Sequence, residues 1–84
     1  MILKKKFVKR EIMGDCILVP IGQNEFNGLI TLNNMASFIW DNIESSKDEE
    51  DLLQKILDEY EVEREVANAD LDEFLQTLKD ADII

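Results

Sequence analysis

The stretch FNGLITLNNMASFIWDNI, residues 26–43, changes its apolar period within a single residue. Up to Leu32 it is rich in β-branched and apolar side chains, as a strand is. Beyond Asn33, the residues Ala36, Ile39, Trp40 and Ile43 fall at i, i+3, i+4 and i+7, the spacing of one helical face. Asn33 stands at the joint, where its side chain can accept from the first free helical amides, and it is predicted to be the N-cap. A strand must therefore run straight into a helix.

The preceding segments supply the rest of a sheet. FVKREIM (residues 7–13) and CILVPI (residues 16–21) flank Gly14 and Asp15. Gly at the first central position suits a two-residue type II′ turn. That turn sets Met13 opposite Cys16, Ile12 opposite Ile17, Arg10 opposite Val19 and Val8 opposite Ile21. Val8, Ile12, Ile17, Val19 and Ile21 then share one face with Arg10, and this face is expected to be buried. Residues 22–27 read as a loop of turn formers, and residues 28–32 as a third strand. Short connections make the three strands an antiparallel meander with the third on an edge.

Two further apolar stripes follow. Residues 44–47 break the first helix, and Ser45 or Ser46 is expected to cap the second. Leu52, Leu53, Ile56, Leu57 and Tyr60 form its stripe, opening with Asp48, Glu49, Glu50 and Asp51 where the helix dipole favours acids. The third stripe is Val66, Ala67, Leu71, Phe74, Leu75 and Leu78, ending near Ile83 and Ile84. Trp40 is expected in the core, and Phe38, off the stripe, partly exposed. The order βββααα is an α+β, winged helix-turn-helix-like arrangement: a three-stranded antiparallel sheet followed by three helices. With 84 residues, one Pro and three Gly, a single domain over residues 1–84 is expected.

Composition then limits function. The formal net charge is −10 and the pI about 4.2, with the cations Lys4, Lys5, Lys6, Lys9 and Arg10 gathered near the N-terminus. Nucleic-acid binders draw most of their affinity from cations on phosphate, so DNA, RNA and anionic membranes are poor partners. A basic or mixed-charge peptide or protein suits this balance, which also serves solubility.

His is absent and Cys16 is the single Cys, which removes the commonest general base and any intramolecular disulfide. Cys16 has no His to activate it and reads as a structural thiol within a strand. Residues 48–51 lack the Gly and alternating ligands of a calcium loop, and Gly22 with Gly28 forms no phosphate-binding pattern. No catalytic residue, metal or cofactor is expected, and the chain reads as a binding protein rather than an enzyme. No apolar run approaches the ~20 residues of a membrane span. Charges at Lys9, Arg10 and Glu11 interrupt any secretory signal, so a cytoplasmic location is expected. Acyl carrier proteins are also small and acidic, but they are all-helical and carry an Asp-Ser-Leu context that Ser37, Ser45 and Ser46 lack.

The junction LITLNNMASFIWDNI resembles the signature of PqqD-like proteins, in which a strand ending in Leu-Asn precedes a helix containing Ile-Trp. REIMGDCILVPIG before it, LLQKILDEYEVE after it and DLDEFLQTLKDADII at the end agree with the same family. The resemblance runs from about Phe7 to Ile84. Asp82 departs from it, since relatives often carry Gly before the terminal aliphatics.

The resemblance implies a stand-alone RiPP recognition element. Such domains bind the leader of a ribosomally made, post-translationally modified peptide as an extra strand beside the third strand, packed against the third helix. Carried onto this chain, the peptide-binding residues are Gly28, Leu29, Ile30, Thr31 and Leu32, facing Leu71, Phe74, Leu75 and Leu78. Some of the latter four must be core, with one or two lining the cleft. The implied partners are a precursor leader peptide and a modifying enzyme, namely a radical SAM enzyme, a cyclase or a leader peptidase. GLITL carries none of the Lys, Pro or bulge devices that blunt an exposed edge. The competing readings are a winged-helix transcription regulator and a general protein-interaction module. The first suffers from Asp70, Asp72, Glu73, Asp80 and Asp82, set against Lys79 around the third helix.

Overall fold

The computed structural model describes residues 1–22 and 29–84. Strands β1 (Phe7–Ile12), β2 (Asp15–Pro20) and β3 (Ile30–Leu32) precede helices α1 (Asn34–Ile43), α2 (Glu49–Glu59) and α3 (Arg64–Asp80). The sheet is antiparallel in the order β1-β2-β3, so β1 and β3 are its two edges. Of the helices, α1 packs directly on β3, and α2 and α3 pack on α1 and on each other. The core gathers Phe7, Leu18 and Leu32 from the sheet with Ile39, Ile43, Leu52, Ile56, Leu71, Leu75 and Leu78 from the helices.

The hairpin turns one residue earlier than its sequence suggests. Ile12 pairs with Asp15, and Met13 and Gly14 both take positive φ, at 53° and 87°. Two such residues make a type I′ turn, whose twist suits a two-residue hairpin. Val8 therefore faces Val19, and Arg10 faces Ile17. Val8, Ile12, Ile17, Val19 and Ile21 do lie on one side of the sheet, but it is the side away from the helices: Ile12 is 52% and Ile21 41% exposed. The buried side carries Phe7 and Leu18, together with Lys9, whose ammonium crosses under the sheet to Ser37 Oγ (2.9 Å) and Asp41 Oδ2 (2.6 Å).

The helix ends follow local chemistry. Asn33 caps α1, its side-chain oxygen accepting from the Ala36 amide at 2.8 Å. The cap of α2 is Asp48, which accepts from the Asp51 amide at 2.9 Å; neither Ser45 nor Ser46 takes that role. Ser46 is buried instead, donating to the Asn42 carbonyl at 2.7 Å and accepting from Lys55 Nζ at 2.9 Å. On α3 the buried stripe begins at Ala67, while Val66 is exposed. Trp40 is half-buried, edge-on to Phe7 with ring centroids 6.2 Å apart, and Phe38 meets Tyr60 in the same manner at 5.3 Å.

The C-terminal end of α3 closes as a Schellman motif. The Ile83 amide donates to the Leu78 carbonyl (2.8 Å) and the Asp82 amide to that of Lys79 (3.0 Å). Asp82 takes the left-handed conformation, φ 58°, that this motif demands. That is why a Gly is at home there. No helix among the described residues is long and apolar enough to cross a membrane.

Candidate functional site

The direction of the β3 backbone follows from the register. In a two-residue hairpin the pair flanking the turn, here Ile12 and Asp15, is hydrogen-bonded, and bonded pairs then alternate along the ladder. Arg10 with Ile17 and Val8 with Val19 are the next bonded pairs. The Ile21 amide donating to the Lys6 carbonyl at 3.1 Å continues the same series. The intervening β2 residues Cys16 and Leu18 thus turn their amides and carbonyls toward β3, where they meet Leu32 and Ile30. Thr31 lies opposite Ile17 at the non-bonded position. Its N–H and C=O point to the free edge.

A ladder continuing beyond Leu18 and Ile30 would next call on Pro20, which has no N–H to give. The described strand is Ile30–Leu32; Leu29, expected within it, precedes it.

Beside this edge lies a cleft of about 200 Å³ between β3, the start of α1 and the outer flank of α3. Ile30 and Thr31 form one wall, Met35, Ala36 and Ile39 the floor, and Asp70, Glu73, Phe74 and Thr77 the opposite wall. The α3 residues fall at i, i+3, i+4 and i+7, a stripe beside the buried one of Ala67, Leu71, Leu75 and Leu78. The helix therefore presents one row to the core and the next to the cleft.

The residues expected at the site divide between these two environments. Ile30 and Phe74 are half-buried and line the cleft with Thr31, which is exposed. Leu29 precedes the strand and is 59% exposed. Leu32, Leu71, Leu75 and Leu78 are buried in the core, where they support the walls from behind. Gly28 lies outside the described residues. Asp70, Glu73, Thr77 and Met35 line the cleft without having been singled out in the sequence. The signal that could have found them is the row through Phe74, a large apolar residue flanked at helical spacing by polar ones.

The two edges of the sheet differ. On β1 the inward-pointing Lys9 stands where a neighbouring strand would have to bury it, a common guard against strand addition. Strand β3 (ITL) has no Lys, Pro or inward charge.

A family model described as coenzyme PQQ synthesis protein D (PqqD) matches residues 15–84. No curated protein matches the chain at a significant level. Among solved structures the chain is similar to one described as TbiB1 in complex with the TbiA(beta) leader peptide. The two are 25% identical with a TM-score of 0.76, over 99% of this chain and 93% of that one. The match spans β2, β3 and all three helices, including β3, α1 and α3, which line the cleft, and the chain belongs to the PqqD family as a PqqD-like RiPP recognition element.

Proposed function

We propose that this chain is a non-catalytic adaptor that captures the leader of a ribosomally synthesised precursor peptide by strand addition to β3 and presents it to a modifying enzyme. The observation that carries this reading is an unguarded strand edge, with the Thr31 amide and carbonyl turned outward, running beside an open cleft whose opposite wall holds Phe74. Backbone pairing would supply affinity, and the alternating side chains sequence selection. A peptide residue opposite Thr31 would direct its side chain to the outer face of the sheet, as Thr31 and Ile17 do. Its two neighbours would point into the cleft.

Within this proposal the edge contacts belong to residues 28–32 and the side-chain contacts to Ile30 and Phe74, while Leu71, Leu75 and Leu78 hold α3 in place. The similarity to TbiB1, solved with a leader peptide, supports leader binding here. The receiving enzyme is of the radical SAM, cyclase or leader-peptidase kind. A DNA-binding role fits poorly, because the net charge is −10 and α3 carries Glu65, Asp70, Asp72, Glu73 and Asp80.

Titration of the labelled protein with a panel of synthetic leader segments, and separately with duplex DNA at low salt, tests the proposal. Saturable binding of a leader, with amide shifts at Thr31 and along α3, is expected. Shifts confined to the first hairpin, or binding of duplex DNA alone, would overturn it.

A further inference from the structure

The cleft is charged with one sign. Asp70 and Glu73 line it beside Phe74, and among the described residues no cation shares the lining with them. Among the described residues neither carboxylate makes an ion pair: Lys79 on α3 is engaged with Glu49 at 3.7 Å, and Lys9 with Asp41. Arg64, at the far end of α3, is held by Glu50. The charge of both groups thus falls on whatever occupies the cleft, within a protein already at −10.

We infer that Asp70 and Glu73 are specificity-determining residues that select a leader carrying Lys or Arg on the same strand face as its apolar anchor. This deepens the proposed function and rests on that reading. Strand geometry fixes the pattern. Side chains on one face of an added strand recur every second residue, about 6.8 Å apart. On α3 the step from Asp70 to Phe74 is four residues, about 6 Å along the axis. A peptide whose apolar side chain packs on Phe74 can therefore set a cation at Asp70 or Glu73 only from a position an even number of residues away, two or four. A basic residue at an odd spacing points to the outer sheet face and gains nothing from these carboxylates. An acidic residue at an even spacing is repelled. This sign preference also opposes wrong partners.

A displayed library of random 15-residue peptides, sorted against the intact protein and against its D70N/E73Q variant, tests the assignment. Peptides enriched on the wild type are expected to hold an apolar residue with Lys or Arg two or four positions away. D70N/E73Q is expected to keep the apolar enrichment and lose the basic one. For one enriched peptide, made synthetically, replacing the even-spaced Lys by Ala should weaken binding to the wild type roughly threefold to tenfold, the range of one or two solvent-exposed ion pairs. The same replacement should leave binding to the variant unchanged. Apolar enrichment without a basic preference, or a basic preference that survives D70N/E73Q, would overturn the inference and leave strand capture standing. Failure to enrich any peptide would overturn both. Both substitutions lie on exposed positions, and an unchanged thermal melt shows that the variant is folded.

Discussion

Thr31 stands opposite Ile17 at a non-bonded position of the β2–β3 ladder, and this single relationship divides the polar groups of β3. Those of Ile30 and Leu32 are used by β2, while those of Thr31 face the free edge. An exposed edge is a liability to a protein that has no use for it. The same sheet guards its other edge with Lys9, so the open one is the exception within this fold.

Thr31→Pro should separate binding from folding. The substitution removes an outward donor and no bond of the β2–β3 ladder, which is the condition under which an edge strand accepts Pro. Ile30 is already extended, as a residue before Pro must be. The melting temperature should stay within a few degrees of the wild type. Leader affinity should fall roughly tenfold or more, from the lost hydrogen bond and the ring set in the path of the added strand. A large loss of stability would mean that the amide of Thr31 points toward β2.

Phe74→Ala and Leu71→Ala should diverge in the same way. Leu71 is fully buried, and its truncation should cost about 2–5 kcal/mol of stability. Phe74 is half-buried on the cleft wall, and its loss should cost only about 1–2 kcal/mol, since half of its surface never left water. Leader affinity, measured on protein shown to be folded, should fall for Phe74→Ala. Denaturant titration and calorimetry on both variants check the pair.

Much of the fold was legible because long-range and local signals agreed. Asn33 caps α1 as its position predicts, and the stripes of Leu52, Leu53, Ile56 and of Leu71, Leu75, Leu78 are core. The hairpin was harder to read, for two physical reasons. Met13 takes the left-handed place usually held by Asn or Asp, so the type I′ turn is hidden behind a residue with no turn preference. The aliphatic count also misleads: Val8, Ile12, Ile17, Val19 and Ile21 outnumber the apolar residues opposite, yet the helices cover the side with Phe7, Leu18 and Lys9. Lys9 is tolerated there only because α1 supplies Ser37 and Asp41 to receive it, and no sequence pattern displays that pairing. At the cleft, β3 and Phe74 could be read, whereas Asp70 and Glu73 look like any solvated helix flank until the topology sets them across from Ile30.

Met13→Asn and Asp82→Gly should each stabilise the protein. Both replace a left-handed residue by one that adopts φ > 0 more readily, at a hairpin turn and at a helix C-terminus. Met13 is almost fully exposed, and Asp82 gives up only a solvent-exposed ion pair with Lys4. A gain of about 0.5–1 kcal/mol per substitution is expected in denaturant titration. No gain from Asp82→Gly would mean that the pair with Lys4 contributes as much as the strain costs.

Lys9→Val should open the second edge. Valine suits the apolar underside of the sheet and has a higher strand preference than lysine, so the isolated fold should persist. Asp41, whose side chain is half-exposed, loses a partner but remains hydrated. What disappears is the inward charge that a second strand laid against β1 would have to bury. The variant should associate as its concentration rises, seen as an increasing mass in light scattering, while the wild type does not. By the alternation that turns Thr31 outward, the amide of Glu11 on β1 also faces its free edge, since Glu11 lies opposite Cys16 at a non-bonded position. Adding Glu11→Pro to Lys9→Val should therefore restore the monomer without disturbing the β1–β2 ladder. A Lys9→Val protein that stays monomeric at high concentration would show that the guard on β1 lies elsewhere, and an assembly that survives Glu11→Pro would show that it does not form through strand pairing.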